Sequence, residues 1–157
     1  MSVDIGAEAI NRSTYAFNEV TTICLDSPAS ISGKITSVEI WANTDITGMR
    51  VGTFYLKSGI TYKCRASVVI GAVEAGAKRT FSSLSIIVEE GDYIGAYWET
   101  GRVDRAAYGF AGYYHKEGEY IDPGDETTYF LLAGDVISLG GYISAVAAGR
   151  SFGFIMG

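Results

Sequence analysis

Apolar and polar residues alternate along much of the chain. In KITSVEIWA, Val38, Ile40 and Ala42 fall on one side of a strand; Ser37, Glu39 and Trp41 fall on the other, polar side. TYKCRASV divides into Thr61, Lys63, Arg65 and Ser67 against Tyr62, Cys64, Ala66 and Val68. The same period of two returns at Leu84, Ile86 and Val88, at Ile94, Ala96 and Trp98, and at Phe152, Phe154 and Met156. It marks half-buried antiparallel strands. Turn-forming clusters separate the runs: DSPAS (26–30), NTDITG (43–48), KSG (57–59), EAGA (74–77), EEGD (89–92), ETG (99–101) and DPGD (122–125). Many short strands punctuated in this way predict an all-β, antiparallel sandwich or barrel, and we read a sandwich. The one segment with helical character is short, around Ala7–Asn11.

One phrase occurs twice. IVEEGDYIGAYW (87–98) and LLAGDVISLGGY (131–142) each run from apolar residues through Gly-Asp into an apolar strand. Glycine supplies a positive φ, and the aspartate bonds its own neighbouring backbone. The twin phrases therefore predict a repeated turn rather than a duplicated active site, with Glu89 and Glu90 in water.

Length and composition narrow the class. At 157 residues the chain predicts a single domain, 1–157, with 144–157 a candidate assembly strand. Apolar residues make up 48% of it, which argues against disorder. Net charge is −6 with no Lys/Arg cluster, so neither nucleic acid nor an anionic membrane is an expected partner. Apolar runs are too short to insert in a bilayer, and MSVDIGAEAINR predicts no secretory signal. Cys24 and Cys64 fit neither CxxC nor a zinc set. Two buried thiols are expected, with a disulfide as the alternative.

Candidate chemistry is sparse. His115 is the only histidine, in YYHKEG, which reads as a surface loop. No GxSxG elbow, phosphate loop or dinucleotide fingerprint accompanies it. Glu39, Glu89, Glu90, Glu99, Glu117 and Glu119 supply no carboxylate pair that spacing alone can define. Asp122 and Asp125, with Asp92 and Asp135, are the candidate calcium ligands; turn-forming is the competing role of each. No catalytic residue and no required cofactor follow.

AAYGFAGYYHKEGEY (106–120) interleaves Tyr108, Phe110, Tyr113, Tyr114 and Tyr120 with small residues. Such a segment reads as a strand pair on its own sheet, a protein contact, or a glycan-stacking surface. Phe152 and Phe154 form a second candidate interface near the C-terminus, either in the core or against a neighbouring subunit.

The phrases DIGAEAINR, ASISGKITSVEIWANTDITGMRVGTFY, FSSLSIIVEEGDYIGAYW and TTYFLLAGDVISLGGY resemble a group of small β-sandwich proteins and modules. These are encountered in bacteriophage and environmental viral sequences, some beside tail or other virion genes. The resemblance spans about Asp4–Tyr142 and brings no catalytic motif. It implies a jelly-roll or lectin-like sandwich in a virion or other extracellular assembly. The expected function is structural and non-enzymatic: a virion component such as a capsid decoration, tail or fibre subunit, or another self-assembling surface subunit, as a homo-oligomer or with other virion proteins. The alternative is a carbohydrate- or receptor-binding module using the Tyr-rich segment.

Overall fold

The structure, a computed structural model, describes residues 3–145. The strands are β1 (Ile5–Gly6), β2 (Thr14–Ala16), β3 (Val20–Cys24), β4 (Gly33–Ser58), β5 (Thr61–Val73), β6 (Lys78–Phe81), β7 (Ile86–Val88), β8 (Tyr93–Tyr97), β9 (Thr100–Ala106), β10 (Tyr113–Glu117), β11 (Glu126–Thr128), β12 (Phe130–Leu132), β13 (Val136–Ile137) and β14 (Leu139–Ala145). Their ladders are antiparallel, and no helix occurs among the described residues. The fold is all-β and sandwich-like. The helical turn expected around Ala7–Asn11 does not form. Two of its amides bond outward instead, Ala7 N to Leu139 O and Ala9 N to Glu39 Oε2, and just beyond it Arg12 N bonds Asp104 Oδ2.

β4 is 26 residues long and belongs to both layers. Its first half pairs with β14, which carries β1, and on its other edge with β6 and β7. Its second half lies between β5 and β8. Between the halves the register shifts repeatedly, and Gly48 takes φ 67. Irregularities of this kind let a strand turn a corner from one sheet into the next. β9 pairs with this middle stretch and also carries β2 and β13. The larger core lies between the layers, with Ile35, Val38, Ile40, Val51, Ile94 and Trp98 fully buried. Thr53 Oγ1 ties the layers directly by donating to Ile87 O at 2.8 Å.

The second layer runs β12–β10–β3–β8–β4–β5–β11 and is rolled. β5 and β10 are four strand spacings apart, about 19 Å in a flat sheet. Yet the rings of Tyr62 on β5 and Tyr114 on β10 stand 4.9 Å apart. Continuous chain closes the seam: β11 pairs with β5 and β12 with β10, and only Tyr129 separates them. The roll encloses a second core of Ile23, Phe54, Tyr62, Cys64, Ile121 and Tyr129.

Alternation therefore decides the fate of the Tyr-rich segment. Tyr113 faces the larger core and Tyr114 the rolled one. The thiols divide the same way: Cys24 lies in the first core and Cys64 in the second, both free and buried. No disulfide joins them. Glu39, expected on the polar side, is only 4% exposed. It accepts bonds from Ala9 N and from Tyr142 Oη at 2.8 Å.

Candidate binding surface

The outer face of β3, β10 and β12 meets β2 across a groove of about 190 Å³. Its walls include Tyr15, Phe17, Tyr113, His115 and Leu132, with Arg105 on the polar side. The register explains the grouping: Tyr113 opposes Leu132 and His115 opposes Phe130, so all four share one face. Arg105 is held by Asp135 and by Tyr15 O at 3.0 Å. Arg102 lies over the rings of Tyr15 and Phe17, at 4.3 and 5.7 Å.

His115 is in a strand, not the expected surface loop. Its ring lies 6.2 Å from both Tyr113 and Phe130, and no carboxylate of the described residues pairs with it. Burial holds the imidazole below its ordinary value, which favours the neutral ring at physiological pH.

Phe17 and Phe130, each 58% exposed, flank this groove, and Leu131 is exposed on the opposite face of β12. β12 ends the sheet, with no strand beyond it among the described residues. From Thr127 to Ala133 the sequence TTYFLLA carries no charge. Exposed edges are usually kept very short or blunted by Lys, Pro or a bulge. β12 is only three residues long and Lys116 on β10 reaches the Phe130 ring at 5.3 Å, but no Lys, Pro or bulge lies within β12 itself.

The four candidate calcium ligands do not form one site, but Asp122 and Asp125 come together. Asp122 and Asp125 meet Glu119, with ligand atoms within 4.8 Å of one another. Arg50 bonds both Glu119 and Asp122, so a guanidinium already balances two of these three carboxylates. Asp92 and Asp135 are elsewhere and have arginines of their own, Arg65 and Arg105. Burial raises the thiols of Cys24 and Cys64 to about 12, which keeps both protonated and unreactive at neutral pH.

Of the remaining aromatic candidates, Tyr108 is 86% exposed on the loop before β10, and Phe110 is exposed beside it. Tyr120 is half-buried after β10. Tyr108 holds φ 75, a left-handed conformation unusual for a bulky residue. Phe152 and Phe154 lie outside the described residues. Sequence reading missed Phe17, Phe130 and Leu131. The uncharged run 127–133 was the available signal, but edge position depends on strand order. No protein-family model matches the chain, and neither curated proteins nor solved structures give a match.

Proposed function

We propose that this protein is a non-enzymatic structural subunit that assembles with copies of itself through the β12 edge and the adjoining groove. The observation that carries this reading is the uncharged, exposed edge strand with Phe130 and Leu131 on its two faces. A chain of net charge −6 repels its own copies, and that repulsion is weakest where the surface is neutral. A second copy presents the same edge, so antiparallel pairing about a two-fold axis would satisfy both at once. Phe130 and Phe17 would then bury against the partner, at roughly 1.5–3 kcal/mol per side chain.

Other features agree with a role without catalysis. His115 sits among rings, the thiols are buried, and several carboxylates are matched by arginines. The resemblance of the sequence to phage-associated sandwiches favours a virion component: a capsid decoration, tail or fibre subunit. Amide hydrogen exchange tests the interface. The β12 amides not directed at β10 should become more protected as protein concentration rises. Exchange at those amides that is independent of concentration would refute pairing through this edge.

A further inference from the structure

A second groove, of about 410 Å³, lies between the N-terminal segment and the loop that carries Tyr108 and Phe110. Its volume falls in the range of about 300–1,000 Å³ typical of small-ligand sites. Glu8, Ile10, Arg12, Asp26, Ser27 and Phe110 line it. It shares none of these with the groove beside β12.

Arg12 is fixed in place. Its Nε donates to Ser138 Oγ at 2.7 Å and its Nη2 to Glu8 O at 2.9 Å. Its guanidinium stands 5.3 Å from the centre of the Phe110 ring, which remains 39% exposed. The loop is pinned as well: Ala111 N donates to Asp26 Oδ1 at 3.1 Å and Phe110 N to Gly134 O at 3.2 Å. Hydrogen-bonding capacity is left over. Arg12 Nη1 and the Glu8 carboxylate have no partner among the described residues, and Asp26 Oδ2 is buried without a donor. Unused donors, unused acceptors and an anchored aromatic ring thus border one opening.

We propose that this groove binds a neutral carbohydrate. The apolar face of a pyranose ring would stack on Phe110. Its hydroxyls both donate and accept, so they would accept from Arg12 and donate to the Glu8 carboxylate. Two carboxylates beside one arginine disfavour an acidic sugar or a phosphate. The inference goes beyond the assembly reading and does not depend on it.

The test is a glycan array of neutral and acidic sugars probed with the whole chain, followed by solution calorimetry on the best feature. The wild type should retain a neutral glycan. Phe110→Ala should weaken binding about tenfold, the scale of a lost aromatic contact, with an unchanged circular dichroism spectrum. Glu8→Gln changes an exposed side chain, so it should fold normally and also weaken binding. Phe130→Asp, on the assembly surface, should leave solution affinity within about twofold. A blank array, retention of acidic glycans only, or full affinity in both Phe110→Ala and Glu8→Gln would overturn the proposal. Loss of the oligomer in Phe130→Asp with sugar affinity intact would separate this site from the assembly surface.

Discussion

Asp92 and Asp135 each follow a glycine in a similar short phrase, and each meets an arginine from a distant strand. Asp92 Oδ2 accepts from Glu89 N at 3.0 Å, which forms the turn, and from Arg65 Nε at 2.6 Å. Asp135 Oδ2 accepts from Arg105 Nη1. The turn was legible from Gly-Asp. The arginine was not, because it lies 27 or 30 residues away in sequence and arrives only through strand order. Glycines show how much such positions depend on neighbours. Gly91 has φ 92 and open space where a Cβ would stand, whereas a Cβ on Gly101, at φ 91, would stand 2.1 Å from Asp45 O. Gly91→Ala should cost about 1–2 kcal/mol for its left-handed backbone alone. Gly101→Ala must also displace a carbonyl and should cost roughly 3 kcal/mol or more, read from urea unfolding. Equal costs would contradict the close approach of β9 to Asp45 on β4.

Individual strands were largely legible, since Val38, Ile40, Ile86, Val88, Ile94 and Trp98 all sit on the buried side that alternation assigned. Glu39 was misjudged because alternation names a face and cannot say what covers it; Tyr142 and the Ala7–Asn11 segment cover this one. The Tyr-rich segment divides: part of it is a strand on its own sheet, with Tyr113 turned to one core and Tyr114 to the other, while Tyr108 and Phe110 lie in the preceding loop. The rolled layer was not legible, because closure depends on β11 and β12 reaching opposite edges of one sheet. Its interior contains a testable oddity. Tyr129 is fully buried, and its hydroxyl has no partner among the described residues. An unmatched buried hydroxyl costs about 1–3 kcal/mol. Tyr129→Phe keeps the ring against Tyr62 and removes that cost, so it should raise the melting temperature. A clear loss of stability would mean that the hydroxyl is bonded.

Across the whole molecule, burial of ionisable groups that are neutral at pH 7 sets the alkaline limit. Cys24 and Cys64 are raised from 9.0 to about 12, and burial also raises Tyr62, Tyr113 and Tyr129. A folded value above the unfolded one leaves stability intact below the unfolded value. Stability then declines as pH rises, until the folded value is passed. Between pH 9 and 12 each buried thiol should remove about 1.4 kcal/mol per pH unit. Unfolding free energy should therefore be flat near neutrality and fall steeply above pH 9, with both thiols blocked to a thiol reagent until the chain unfolds. Early reaction of either thiol at neutral pH would contradict the two-core arrangement.

Assembly through β12 is the central claim, and sedimentation equilibrium of the wild type beside Phe130→Asp tests it most directly. Phe130 is exposed within the single chain, so its replacement should change monomer stability by only about 0.5 kcal/mol. A carboxylate placed there would face its own symmetry mate across the paired edges. The wild type should sediment as an oligomer, and Phe130→Asp as a folded monomer with an unchanged circular dichroism spectrum. A wild type that stays monomeric at high concentration, or a variant that keeps the wild-type mass, would contradict the account.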